Sequence, residues 1–369
     1  MIPFCDPSAS YQAHKKEIDD AMQRVLDSGW FVLGKEVNTF EKEFAAFHGE
    51  NFHAVGVANG TDAIALCLRG LGLGTGDEVI TTSHTAVATV AGIEQAGCMP
   101  VFADIDPNTR CIDPVSIEKR ISSKTRAIMP VHIYGQPAEM HRILEIAKAY
   151  NLALVEDCSQ AHGAEIDRQK VGTFADISAY SCYPTKNLGG TGDGGVILCR
   201  SEEFAGKIKS LRQYGWNEVR ESIIPGFNSR LDELQASILR IKLQHLSGDN
   251  AKRREIALRY NEGFKELPLT LPALYENELH AMHLYVIECD RRDELMEYLR
   301  SHQIGASLHY PLAVHQHHAY EDRIRGGDNL PVTDQFYQRN LTLPMYPELS
   351  NDGVEHIIST IQDWFRENK

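Results

Sequence analysis

Three short segments of this 369-residue chain carry side chains that could do chemistry, and each follows an apolar run. In Ser178-Ala-Tyr-Ser181-Cys182-Tyr183-Pro184-Thr185-Lys186-Asn187, small and aromatic residues deliver a lysine just beyond a proline. Most lysines are solvated surface charges. One desolvated by such neighbours has a lowered pKa and can act as a nucleophile. In Leu154-Val155-Glu156-Asp157-Cys158-Ser159-Gln160-Ala161-His162-Gly163, an apolar run ends in two acids, and Gln160 follows three positions after Asp157. Asp157 could cap a helix there, or hold a cationic ligand nitrogen. Asn59-Gly60-Thr61-Asp62 follows a third run and opens a helical stretch. It reads either as an ordinary N-cap or as an anion cradle, where free amides and the helix dipole receive a phosphate.

Phosphate cradle, strand-end acid and desolvated lysine, taken together, are the toolkit of pyridoxal 5′-phosphate (PLP) chemistry. Two glycine patterns are set aside. Gly29-Trp-Phe-Val-Leu-Gly34-Lys35 has P-loop spacing, but Glu36 stands where a magnesium-binding Ser or Thr belongs, and the loop interior is bulky. Gly190-Thr-Gly192-Asp-Gly194-Gly195 fits G-x-G-x-x-G but precedes a strand instead of opening a helix.

The elements that must position these groups alternate. Strand-like runs fall at His53–Ala58, Glu78–Thr82, Met99–Asp104, Arg126–His132, Leu152–Asp157, Ala175–Ser181 and Gly194–Cys199. Helical spacing fills Thr61–Leu71, Thr85–Ala96 and Ala138–Tyr150 between them. That pattern predicts an α/β large domain, a seven-stranded mainly parallel sheet between helices, with ligands at the strands' carboxyl ends. An amphipathic helix from Ser229 continues to about Leu267, where Pro268 stops it. Beyond it the clearest strand is Ala281–Cys289, and a last helix covers Asp352–Arg366. We therefore divide the chain into a large domain, 1–249, and a smaller α+β domain, 250–369.

Composition excludes other classes. The net charge of −14 disfavours attachment to nucleic acid or anionic lipid. No run approaches the roughly 18 apolar residues of a membrane span, and the N-terminus has no signal-peptide order, so a soluble cytoplasmic protein is expected. The eight scattered cysteines read as buried reduced thiols. His315-Gln316-His317-His318 reads as solvated loop, and no metal site is expected.

The chain resembles the sugar aminotransferases of the DegT/DnrJ/EryC1/StrS family. The likeness runs through Asp27-Ser-Gly-Trp30, Leu33-Gly34-Lys35-Glu36-Val37, Ala58-Asn-Gly-Thr-Asp-Ala63 and His132-Ile-Tyr-Gly-Gln-Pro137. It continues through the Glu156–Gly163 and Tyr183–Gly189 segments, Gly226-Phe-Asn-Ser-Arg-Leu-Asp-Glu-Leu-Gln235 and His309-Tyr-Pro311. The resemblance implies a fold-type I PLP enzyme, a homodimer with shared active sites. By position, Lys186 would carry the cofactor covalently, Asp157 would face the pyridine nitrogen, and Gln160 would lie beside the ring. Gly60, Thr61, Asp62 and Ser181 would bind the phosphate, with Asn228 reaching it from the other subunit. Ala86 stands where many relatives place an aromatic residue over the ring, and His84 is the candidate to take over part of that role.

The expected reaction is ping-pong transamination from glutamate to a nucleotide-linked keto-6-deoxyhexose, dTDP-linked and aminated at C3. The alternatives are a 4-keto sugar linked to UDP, GDP or dTDP, a fold-type I enzyme acting on amino acids, or a non-catalytic regulatory member. Arg212, Tyr214, Arg230 and His309 are candidates for the substrate's diphosphate, each with a structural ion pair as its bland alternative.

Overall fold

All seven predicted runs form strands of one sheet in the computed structural model, which describes residues 1–368. They are β1 (His53–Val57), β2 (Glu78–Thr82), β3 (Met99–Ala103), β4 (Thr125–Ile128), β5 (Ala153–Asp157), β6 (Ile177–Ser181) and β7 (Gly195–Cys199). Their order is β1-β7-β6-β5-β4-β2-β3. Only β7 runs antiparallel to its neighbours β1 and β6. The carboxyl ends of β1, β2, β5 and β6 therefore share an edge with the start of β7.

These strands are apolar on both sides because both faces are covered. On one face Val55, Val155, Ile177 and Ile197 pack against Ala63–Leu68 of the helix Gly60–Gly70 and against Ile208. On the other, Ala54, Tyr180, Val196 and Leu198 pack against Phe40 and Phe44 of the helix Lys35–His48. The same face receives Leu239 and Leu243 from the long helix Glu233–Phe264.

That long helix spans 32 residues, about 48 Å at 1.5 Å per residue. Its second half turns Ile256, Tyr260 and Phe264 into a different core, with β8 (Tyr285–Glu288), β9 (Asn340–Leu343) and the final helix Asn351–Glu367. The division drawn at 249/250 thus falls inside one continuous helix. The C-terminal part also interlocks with the first, since Leu284, Val286, Ala313 and Phe336 pack with Ile80, Val101 and Ile128.

The predicted strand Ala281–Cys289 is shorter than its hydrophobic run. The amides of Ala281 and His283 donate instead to the carbonyls of Gly135 and Tyr134, so this stretch pairs with a loop of the large domain. Seven of the eight cysteines are buried, and none forms a disulfide. No described helix is long and apolar enough to cross a membrane.

Candidate functional site

The chain leaves β1 through Asn59, whose extended backbone and side chain cap the next helix by accepting from the Asp62 amide at 2.8 Å. Helix geometry leaves the amides of Gly60 and Thr61 without intrahelical acceptors. Glycine is required at 60 because a Cβ there would fall 2.6 Å from the Ser181 Cβ. A Cβ on Gly195 would fall 2.3 Å from the Asn59 carbonyl. The ends of β1 and β6 and the start of β7 are pressed together, and the helix N-terminus faces Ser181.

Past β6 the chain folds into a tight turn. Lys186 donates its amide to the Tyr183 carbonyl at 2.8 Å, and Gly190 donates to Cys182 at 2.8 Å. Lys186 is half-buried, and desolvation lowers its pKa to about 8, with the Asp157 charge pulling the other way. Asp157, at the end of β5, is buried. Its Oδ1 accepts from the Ser159 amide at 3.1 Å, and its Oδ2 accepts from the Thr89 hydroxyl at 2.8 Å. Gln160 accepts from the Tyr134 amide at 2.7 Å and donates to the Tyr310 hydroxyl at 2.9 Å.

Gly60, Thr61, Ala86, Asp157, Gln160, Ser181 and Lys186 line one cavity of about 240 Å³. Sequence reasoning missed two supports of that cavity. Thr89 lies one helical turn past Thr85, whose hydroxyl is 2.7 Å away, and that spacing was the available signal. Tyr310 lies inside the His309-Tyr-Pro311 motif, where only the histidine was singled out.

Other expected residues lie off the cavity wall. Asp62 gives its amide to the cap, and its carboxylate meets Gln95 at 3.4 Å. Asn228 is exposed, and its backbone bridges to Gln213. Tyr214 is exposed beside Trp216, and Arg230 is half-buried. His309 is half-buried with Nδ1 2.9 Å from the Thr342 hydroxyl. Desolvation, helped by the Lys186 charge, lowers its pKa to about 4.

Arg212 is a correction. It is buried, and Nη1 donates to Glu41 and to the Gly56 carbonyl, both at 2.6 Å, so its charge is committed to the scaffold. His84 is a second. Instead of reaching the cavity it is fully buried edge-on against Tyr134, Phe336 and Tyr337, with Nδ1 3.0 Å from the Tyr337 hydroxyl. His315 is a third, for it is not solvated loop. It is half-buried, with Nδ1 2.7 Å from the Ser83 hydroxyl and Nε2 3.1 Å from Asp334. This Ser-His-Asp line is a tether and no hydrolytic triad, because Ser83 is fully buried.

The dismissed P-loop pattern has a physical explanation. The amides of Gly34, Glu36 and Val37 donate to the Glu233 carboxylate at 2.7, 2.8 and 2.9 Å, so a side chain fills the anion position. His14, Glu17 and His245 bring metal-binding atoms within 4.8 Å of one another. Their imidazoles stack face to face at 3.9 Å, which keeps the in-plane lone pairs parallel and not converging on an ion.

The cavity's groups match pyridoxal phosphate one for one. A helix N-terminus that tolerates no Cβ suits the phosphate, Asp157 suits a protonated ring nitrogen, and a desolvated lysine suits the aldehyde. A lysine and an acid at the carboxyl edge of a doubly covered, seven-stranded sheet define the class: a fold-type I PLP enzyme. The model of the DegT/DnrJ/EryC1/StrS aminotransferase family matches residues 12–362, and the chain belongs to that family.

A protein of Aneurinibacillus thermoaerophilus, dTDP-3-amino-3,6-dideoxy-alpha-D-galactopyranose transaminase, is 43% identical over 361 residues, covering 98% of this chain and 99% of its own. The crystal structure of S. venezuelae DesV in complex with a ketimine intermediate matches with a TM-score of 0.95 at 40% identity, covering 98% of both chains. The structure of NtdA from Bacillus subtilis with bound cofactor PMP matches with a TM-score of 0.89 at 32% identity, covering 96% of this chain and 82% of the other.

Proposed function

We propose that this chain is a PLP-dependent aminotransferase that moves an amino group from glutamate to a dTDP-linked 3-keto-6-deoxyhexose. The observation that carries this reading is the convergence of Lys186, Asp157 and the Gly60–Thr61 helix start on one cavity. The choice of sugar is supported by the similarity to the A. thermoaerophilus transaminase, which extends over 98% of the chain.

Pyridoxal phosphate, when bound, supplies an electron sink for the carbanion that transamination requires. The chain's own residues do the remaining work. Lys186 holds the cofactor through Nζ, and a pKa of about 8 leaves part of that amine neutral near physiological pH. Once freed by the donor amine, the same Nζ would take the donor's Cα proton and deliver it to the carbon that had been the cofactor's aldehyde, so that the amino group stays behind on the cofactor. Asp157, fixed by Thr89 and the Ser159 amide, keeps a ring nitrogen protonated. The Gly60 and Thr61 amides and the Ser181 hydroxyl take the phosphate.

The working unit is a homodimer in which Asn228 serves the partner's site. Exposed Trp30, Phe31, Val32, Val219 and Ile223 support this reading, because they lie on segments that flank or bridge to the Asn228 region. A cytoplasmic location is supported by eight unpaired cysteines.

Borohydride treatment of the PLP-loaded protein should fix the cofactor on the Lys186 peptide. A protein that gains no visible absorbance with PLP overturns the cofactor assignment. Glutamate with dTDP-3-keto and dTDP-4-keto sugars, followed by NMR location of the new amine, tests the substrate. Amination only at C4, or only of a UDP- or GDP-linked sugar, overturns that choice. Mixing inactive Lys186 and Asn228 variants should restore some activity in hybrid dimers. Absence of complementation in demonstrated heterodimers points to a site built within one chain.

A further inference from the structure

The residue after the lysine is tied down more thoroughly than the lysine itself. Asn187 is half-buried, and its amide makes three hydrogen bonds. Nδ2 donates to the Asn250 Oδ1 and to the Ala281 carbonyl, each at 2.8 Å. Oδ1 lies 3.1 Å from His283 Nδ1. A backbone carbonyl can only accept, so Ala281 fixes which end of the Asn187 amide is nitrogen. It follows that His283 presents Nδ1–H to the oxygen. Desolvation first, then the Lys186 charge, holds His283 well below its ordinary pKa, so the donor is a neutral ring of defined tautomer.

The partners of Asn187 lead back to the site by two routes. Asn250, on the long helix, donates from Nδ2 to the His162 carbonyl at 2.7 Å, five residues past Asp157. Ala281 and His283 donate their amides to Gly135 and Tyr134, and the Tyr134 amide donates to Gln160 in the cavity. The circuit therefore joins Lys186 to the Asp157 segment through one element and to Gln160 through another. Through it the C-terminal part hydrogen-bonds to the lysine's own turn.

Resting on the reading that Lys186 carries PLP, we propose that Asn187 is a positioning residue, which locks the Lys186 turn to the Ala281–His283 segment and the long helix and so sets the lysine's place opposite Asp157 and Gln160. Without the amide, the Asn250 oxygen, the Ala281 carbonyl and the His283 N–H lose their partners together. Water entering to satisfy them also resolvates the Lys186 ammonium.

The test follows the visible band that appears when pyridoxal 5′-phosphate is mixed with cofactor-free protein, over a range of pH. Its formation rate titrates with the Lys186 amine. In Asn187→Ala the midpoint rises by about one unit, and the rate below the midpoint falls roughly tenfold. His283→Gln, which keeps an N–H donor, retains the wild-type midpoint, whereas His283→Leu shifts it in the direction of Asn187→Ala. A merely structural role lowers the melting temperature of these variants and leaves the midpoint where it was, which overturns the proposal. Should Asn187→Ala not fold, equal midpoints in His283→Leu and wild type overturn it just as well. If wild-type protein forms no band at all, the failure belongs to the cofactor reading.

Discussion

The Thr89 hydroxyl donates to Oδ2 of Asp157 at 2.8 Å, joining the first turn of one helix to the end of β5. Because Thr89 donates its only proton there, Thr85, 2.7 Å away, must donate to Thr89. The chain of hydroxyls aims the carboxylate. A hydrogen bond to a charged group contributes about 1.5–3 kcal/mol. Thr89→Val keeps the volume and removes that bond, so kcat should fall about tenfold or more while the KM for the amino donor stays nearly constant. Thr89→Ser should restore kcat. Unchanged turnover in the valine variant would show that the hydroxyl does not orient Asp157.

Arg212 should matter for folding and not for substrate. It and Glu41 form a buried ion pair, with Lys209 3.6 Å away on the other carboxylate oxygen. Breaking such a pair by removing one partner costs about 3–5 kcal/mol, because the other charge stays buried. Arg212→Met should lose most of that in urea unfolding, and adding Glu41→Met should recover part of it. The folded Arg212 variant should keep the wild-type KM for the nucleotide sugar. A raised KM with unchanged stability would return Arg212 to the substrate site.

Glu156 gives a further stability test beside the site. Its buried carboxylate accepts from the amides of Gly172 and Ala175, each at 2.7 Å, and lies 3.1 Å from His132 Nε2. Glu156→Gln turns an NH₂ group toward a donor, which leaves a buried amide unpaired at a cost of about 1–3 kcal/mol. Thermal melts should show the loss, and a melting temperature equal to wild type would refute the assigned hydrogen bonds.

The sheet was legible because β-rich runs of this kind are buried on both faces, and no packing detail changes that requirement. Lys186, Asp157 and the Asn59–Asp62 turn were legible for a related reason: each lies where a strand ends, and strand ends in such a sheet converge. Side-chain direction was not legible. His84 and Ala86 are two residues apart, yet one turns into an aromatic cluster and the other lines the cavity. Arg212 and Glu41 are 171 residues apart, and only the assembled sheet brings them together. The hydrophobic run at Ala281–Cys289 marked burial correctly but not its partner, because a loop of the large domain took the first hydrogen bonds.

Gly60→Ala separates the phosphate cradle from the rest of the site. The added methyl would meet Ser181 Cβ at 2.6 Å, so the helix start and the β6 end must part. The Gly60 and Thr61 amides then lose their aim, while Lys186 and Asp157 keep their own supports. PLP affinity should fall at least tenfold, about 1.4 kcal/mol, with the fold retained by circular dichroism. Wild-type affinity in this variant would place the phosphate elsewhere.

Lys186 should also leave a mark on the stability of the cofactor-free enzyme. Its folded pKa of about 8 lies below the ordinary 10.5, so burial penalises the charged form. Below pH 8 both folded and unfolded chains hold the proton, and the folded state bears the whole penalty. Between 8 and 10.5 the folded state has released a proton that the unfolded state still binds, so this residue's contribution makes stability rise with pH. Lys186→Met removes the penalty. The variant should resist urea better than wild type at neutral pH, by a margin that stays level up to about pH 8 and then shrinks toward pH 10.5. Comparing the two proteins pH by pH cancels every other titrating group that the substitution leaves alone. A margin that stays constant across that window would mean the lysine's pKa is not depressed, and its readiness as a nucleophile would then need another source.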